Sequence, residues 1–288
     1  MMIIKSKNVH TFIGCESEYE NCTAVLFGAP YDGTASYRPG SRFAPAAVRN
    51  ESFGIETYSP YSDRDLTDLA VFDGGDLELP FGGPARVVEM VENYTQKLLR
   101  GGKLPFMVGG EHTVTLGAVR AACQKHPDLR VIHLDAHADL RDEYIGERLS
   151  HSAVMRRVHD LLGDGRIYQF GIRSGDRGEF DFANGGHVHM QKFNFNGLEQ
   201  TVSELNGKPV YLTVDLDVLD PSELPGTGTP EAGGVTFCEL LAAVNAVSRL
   251  NIVGADAVEL CPPCDPSGIS TALTCKIIRE MLLLFGGK

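Results

Sequence analysis

Val131-Ile132-His133-Leu134-Asp135-Ala136-His137-Ala138-Asp139 opens as a short apolar run and closes on polar residues at alternate positions. The apolar part reads as a strand buried on both faces, which points to a parallel sheet. Residues two apart in extended chain share a face. Asp135, His137 and Asp139 therefore begin on one side of the strand and turn out at its end. Two carboxylates and an imidazole that converge are costly without a partner of opposite charge. A divalent cation is the simplest partner; a polar strand end that caps a turn is the plainer alternative.

Outward from this stretch, strands alternate with helices. Further strands are expected at 22–27, 69–72, 104–108, 167–172, 188–190, 209–214 and 252–260, and the central one at 130–135. Helices are expected at 45–53, 84–100, 113–125, 150–162, 198–205, 236–250 and 269–285. In the second of these, Val87, Val88, Val91 and Leu98 form one stripe and Gly101 supplies a stop. This alternation predicts an α/β fold with a mainly parallel sheet covered on both faces. No internal repeat or linker divides the chain, so residues 1–288 read as one domain.

Composition narrows the function. Of 288 residues, 43% are hydrophobic and 22% charged, an ordinary globular balance. The net charge is -12 and no basic tract occurs, which argues against nucleic acid and leans toward a small cationic ligand. The longest apolar runs, such as 281–285, are too short for a bilayer. Met1-Met2-Ile3-Ile4-Lys5 has no signal-peptide character, and the seven cysteines are scattered, so a reducing cytoplasmic setting is expected. Cys261-Pro262-Pro263-Cys264 has the spacing of a redox pair but not the strand-to-helix context near the N-terminus; a stiff loop with inert thiols is the simpler reading.

Four groups of polar residues occupy the same relative place. His112 follows one strand, and Asp135, His137 and Asp139 another. Asp215 and Asp217 close a third, and Glu259 a fourth. In an open parallel sheet such ends share the edge where ligands bind. His112, Asp135, His137, Asp139, Asp215 and Asp217 lack thiolate, against structural zinc. Imidazole argues against a calcium or magnesium cage. Mixed imidazole and carboxylate in excess suits two ions, manganese first. Two such ions about 3.5–4 Å apart lower the pKa of a shared water, so metal-assisted hydrolysis is the expected chemistry. His133, inside the strand, reads as a hydrogen-bonded core histidine, and Asp256 as a carboxylate supporting the site from behind. His126, His159, His187 and His189 lack acidic neighbours at ligand spacing and read as surface or loop residues.

These motifs resemble those of the ureohydrolase family, which includes arginase and agmatinase. Gly109-Gly110-Glu111-His112, Asp135-Ala136-His137-Ala138-Asp139 and Asp215-Leu216-Asp217 are similar to its three metal motifs. Pro225-Gly226-Thr227-Gly228-Thr229-Pro230-Glu231 and Glu259 resemble its substrate motifs, and Tyr37-Arg38-Pro39-Gly40-Ser41-Arg42-Phe43 its N-terminal motif. The resemblance implies a three-layer α/β/α fold with a central eight-stranded sheet and two Mn2+ per subunit. One ion would be held by His112, Asp135, Asp139 and Asp215, the other by Asp135, His137, Asp215 and Asp217. Asp139 would also orient the attacking hydroxide. His151 would pass a proton to the leaving amine, Glu259 would bind the guanidinium, and Thr229 would contact substrate. A homo-oligomer, trimeric or hexameric, is also implied.

The stretch from Asp139 to His151 resembles bacterial and archaeal agmatinases, which implies agmatine as substrate and putrescine and urea as products. Arg141 stands where arginases carry an Asn. It would favour a carboxylate at the distal end of the substrate, as in guanidinobutyrate, unless Asp142, Glu143 and Glu147 neutralise it. Those three acids against one base favour an ammonium.

Overall fold

The computed structural model describes residues 10–287, so the reading of Met1-Met2-Ile3-Ile4-Lys5 lies outside the described residues. The strands are β1 Ala24–Ala29, β2 Tyr58–Ser59, β3 Arg64–Asp65, β4 Val71–Asp76, β5 Leu104–Gly109, β6 Arg130–Leu134, β7 Ile167–Ile172, β8 His189–Lys192, β9 Pro209–Asp215 and β10 Asn251–Val258. The helices are α1 Ala44–Glu51, α2 Pro84–Arg100, α3 Thr115–Lys125, α4 Val154–Leu162, α5 Arg177–Asn184, α6 Leu198–Glu204, α7 Phe237–Val247 and α8 Ile269–Phe285.

Eight strands form one sheet in the order β4-β1-β5-β10-β9-β6-β7-β8, while β2 and β3 pair separately as a short hairpin. Every pairing in the large sheet is parallel. Successive strand residues feed opposite faces. Ala24 and Leu26 join a core built with α1, α6, α7 and α8, whereas Val25 and Phe27 join one built with α2, α3, α4 and α5. The result is three layers, α/β/α, and strands buried on both sides. Val87, Val88, Val91 and Leu98 are fully buried on the inner face of α2, each contributing about 1.5–3 kcal/mol. No helix among the described residues is long and apolar enough to cross a membrane.

Three expectations need correction. The second strand, expected at 69–72, continues through Asp73-Gly74-Gly75-Asp76. Those polar residues stay in the sheet because Arg49, itself buried, donates to both Asp73 and Asp76. Helix α5 was not expected, since its eight residues carry little apolar patterning; a capping box of Asp176 and Glu179 starts it. The metal motif itself does not lie on strand β6, which ends at Leu134. Asp135–Asp139 forms a loop beyond it, pinned by a bridge from His137 to Ser174, and Asp139 has a φ of 54°. Convergence comes from the loop, not from the strand pleat.

The strands that end in candidate site residues, β5, β10, β9 and β6, are contiguous at the centre of the sheet. Gly110 lets β5 run into the site beneath Tyr31: a Cβ there would lie 1.9 Å from the Tyr31 carbonyl oxygen. The Gly110 carbonyl also accepts the Glu259 amide at 2.9 Å. Gly110→Ala should therefore cost about 3 kcal/mol or more, since backbone cannot yield as a side chain can. A thermal melt checks this; an unchanged melting temperature would contradict the close approach.

Candidate metal centre

At the shared C-terminal edge, His112 Nδ1 lies 3.2 Å from one oxygen of each of Asp135, Asp139 and Asp215. All four residues are buried. Nδ1 has no hydrogen-bond partner. The other ring nitrogen explains why. Nε2 is 2.9 Å from Thr213 Oγ1, and Thr213 donates its own proton to Asp256 Oδ1 at 2.6 Å. Thr213 must therefore accept from Nε2–H, which leaves Nδ1 to face a cation. Asp256 is further held by the hydroxyls of Tyr211 and Thr115. This is the support from behind expected of it, delivered through Thr213.

A second group adjoins the first. His137 Nδ1 is 2.9 Å from Asp217 Oδ2 and 3.7 Å from Asp135 Oδ1. Asp215 Oδ1 accepts the Asp217 amide at 2.9 Å, and Asp217 Oδ1 accepts the Ala136 amide at 3.2 Å. Asp135 and Asp215 stand between the two groups. His133 is no ligand in this arrangement. Gln169 Nε2 donates to its Nδ1 at 3.0 Å and to the Ala138 carbonyl, so His133 Nε2–H donates to Asp135 Oδ2 at 2.6 Å.

The electrostatics call for positive charge. Burial, then the charges of Asp217 and Asp135, push the Asp215 carboxyl well above its ordinary range. Burial and Asp135 push Asp139 up to about 7. Burial opposes charging of His112, yet Asp135, Asp139 and Asp215 together raise it well above the usual imidazole value. Asp135 is held low despite burial, with His133, His112 and His137 around it. The same carboxylates that here demand protons can share divalent cations instead. The donor set of oxygens and imidazole nitrogens, with Nδ1 aimed among three carboxylates, fits such ions.

Glu259 follows β10 with a φ of 66°. Such left-handed backbone costs a non-glycine residue about 1–3 kcal/mol, as at Asp139. The turn sends the Glu259 carboxylate over the site, where Oε1 accepts the His112 amide at 2.7 Å. Burial and the nearby Glu111 raise its carboxyl well above the ordinary range, which a bound cation would reverse. His151 sits across the cleft, its Nε2 3.1 Å from Ser36 Oγ and its amide donating to Thr34 Oγ1 at 3.2 Å. Burial, then the positive charge at His137, pulls it down to about 4, so it is neutral at pH 7. Thr229 Oγ1 is 3.5 Å from Asp217 Oδ2. All the expected site residues thus meet at one edge, and His137, Asp139, His151, Asp215, Asp217, Thr229 and Glu259 line one cleft.

At the cleft mouth the sequence reading of Arg141 needs correction. Its partners are not Asp142, Glu143 and Glu147. Arg141 pairs with Asp176 at 3.0 Å and Glu179 at 3.5 Å, both at the start of α5, and lies over the Tyr144 ring. Asp142 pairs instead with Arg157 and Arg148, and Glu147 accepts the Leu149 amide. Arg141 and Glu179 both line the cleft. Arg173 was missed altogether: its guanidinium donates to the carbonyls of Asp217 and Glu231, at 2.7 and 2.8 Å, and so clamps the turn that carries Asp217 to the Thr229 loop. No spacing signal marks such backbone contacts. His159 and His187 were read as lacking acidic neighbours, yet both lie 2.7 Å from Asp164 Oδ1, brought together by the α4–β7 turn. His189 lies in β8, stacked on Tyr168, and His126 ends α3.

Comparison with known proteins agrees with this geometry. The sequence model of the Arginase family matches residues 22–284. An agmatinase of Bacillus subtilis (strain 168) is 50% identical over 277 residues, covering 95% of this chain and 96% of that protein. A guanidinobutyrase of Pseudomonas aeruginosa is 34% identical over 283 residues, covering 94% and 89%. The crystal structure of agmatine ureohydrolase from Thermoplasma volcanium superposes with a TM-score of 0.88 at 34% identity, covering 96% of this chain and 94% of that one.

Two substitutions probe the cluster. Asp215→Ala should abolish retention of manganese added as a divalent probe, while circular dichroism stays unchanged, because apolar strands build the core. Thr213→Val should weaken metal binding about 10–100-fold by freeing the His112 ring. Bound manganese, measured by elemental analysis after dialysis, checks both; full occupancy in Asp215→Ala would rule out its place as a ligand.

Proposed function

This chain belongs to the arginase family, and from that membership and its site we propose that it hydrolyses the guanidino group of agmatine to putrescine and urea. The carrying observation is His112 Nδ1 facing three carboxylates at 3.2 Å, which asks for a metal, beside a half-buried carboxylate at the cleft, Glu259, that asks for a cation. The chain would act as one catalytic unit with two Mn2+. His112, Asp135, Asp139 and Asp215 would hold one ion, and Asp135, His137, Asp215 and Asp217 the other. Bound there, such ions would lower the pKa of water and make hydroxide available near neutral pH.

The protein's own groups do the rest. Glu259 receives the guanidinium through charge-assisted hydrogen bonds. Asp139, in its left-handed turn, orients the nucleophile. His151, neutral at pH 7, takes up a proton at the reacting centre and hands it to the leaving amine. Thr229 closes the cleft beside Asp217.

Substrate choice rests on the distal end. Arg141 is paired with two acids, Asp176 and Glu179, so the group is net negative and favours the ammonium of agmatine. A guanidino acid such as guanidinobutyrate is the second reading, because Arg141 itself lines the cleft. The agmatinase of B. subtilis, at 50% identity against 34% for the guanidinobutyrase, supports the first.

The manganese-loaded chain should show its highest kcat/KM with agmatine among agmatine, guanidinobutyrate and arginine. A preference for guanidinobutyrate of tenfold or more, about 1.4 kcal/mol, would reverse the assignment. We also propose a cytoplasmic homo-oligomer, trimer or hexamer. Light scattering should give a multiple of 31.2 kDa, and a particle of that single mass would refute it.

A further inference from the structure

Cys261 and Cys264 stand outside the chemistry above. They flank Pro262-Pro263, directly after the strand end that carries Glu259. Their sulfurs are 3.0 Å apart. The Cys264 amide donates to the Cys261 carbonyl at 2.9 Å, closing a tight turn. A turn of this kind holds its end Cα atoms within about 7 Å, inside the span a disulfide bridges. Two prolines fix φ at the intervening residues, so little freedom is left to lose on closure. Cys261 is fully buried, whereas Cys264 is partly exposed.

The surroundings tie this pair to the site. Cys261 Sγ lies 3.7 Å from the Pro39 carbonyl, and a Cβ on Gly40 would meet that sulfur at 2.8 Å. The Gly40 amide donates to Asp32 at 2.7 Å. From Asp32 the chain runs through Thr34 and Ser36, both of which contact His151. On its other side the Cys261 amide donates to the Gly226 carbonyl at 2.7 Å, at the root of the Thr229 loop. Cys261 thus touches both loops that flank the cleft, the first through its sulfur and the second through its amide.

We propose that Cys261 and Cys264 form a reversible intramolecular disulfide that lowers the activity of the adjacent site. The oxidant is a small organic disulfide. Cys264, the accessible thiol, attacks it as the thiolate, forming a mixed disulfide and releasing one small thiol. Cys261 then attacks Cys264 Sγ; its proton goes to solvent, the Sγ–Sγ bond forms and the second small thiol leaves. The two protein thiols are oxidised and the organic disulfide is reduced. Burial, together with the Cys264 contact, pushes the Cys261 thiol up to about 12, so Cys264 is the thiol that meets the oxidant first. Closure draws Cys261 Sγ toward Cys264 and away from Pro39, loosening the loop behind His151.

The activity arm of the test rests on the proposed hydrolase function; the covalent arm does not. The manganese-loaded full chain is treated with hydroxyethyl disulfide, alkylated with iodoacetamide, and mapped by peptide mass spectrometry. Cys261 and Cys264 should be found linked and unalkylated. Urea release from agmatine should fall about tenfold in kcat, less than the ~100-fold of a full ångström misplacement, and return with excess dithiothreitol. Cys264→Ser should keep its basal rate and resist the oxidant. Alkylation of both cysteines after treatment, or an adduct that stays on Cys264, would overturn the disulfide. A linked pair with an unchanged rate, or an equal loss in Cys264→Ser, would overturn its control of the site. A chain with no guanidino turnover would sink the hydrolase reading while the peptide map still decides the disulfide.

Discussion

Several buried carboxylates crowded around one imidazole nitrogen cannot stand without positive charge between them. That constraint organises the molecule. The carboxylates arrive on separate segments, so neighbouring strands must end at one edge, and a parallel sheet with both faces covered is the architecture that delivers this. The edge then bends backbone to finish the job. Asp139 and Glu259 both accept left-handed φ values, and the stability they cost is returned by the packed layers on either side.

Support from outside the cluster matters as much as the cluster. Asp256 never reaches the cleft, yet through Thr213 it decides which nitrogen of His112 is available. Gln169 does the same for His133, turning a candidate ligand into a donor to Asp135. Each case uses a neutral side chain to set a tautomer, which keeps additional charge out of an already crowded site.

The fold class was legible because it rests on period. Apolar runs alternating with striped helices require only the local pattern of residues, and α2, β7 and α8 appear with the expected bounds. The site residues were legible because they sit at strand ends, where the topology gathers them. What escaped notice depends on distant partners. Arg173 binds carbonyls, which any sequence offers. The partners of Arg141 come from α5, some thirty-five residues on along the chain by the numbering of Asp176, and nearer acids looked equally suitable. His159 and His187 meet over Asp164 only because a turn folds back. Charge can be counted along a chain, but pairing is decided in space.

The four site-bearing strands are flanked by two strands on each side, β4 and β1 at one end, β7 and β8 at the other. The sheet therefore separates wear from work. Its margins, where hydrogen-bonding groups lack a neighbouring strand, are at least two strands removed from β10 and β9. A lineage can lengthen, trim or decorate β4 or β8, or use either as a meeting surface, without disturbing a single metal-facing oxygen. Variation in such proteins should accumulate from the rims inward, with the middle of the sheet as the part that drifts last.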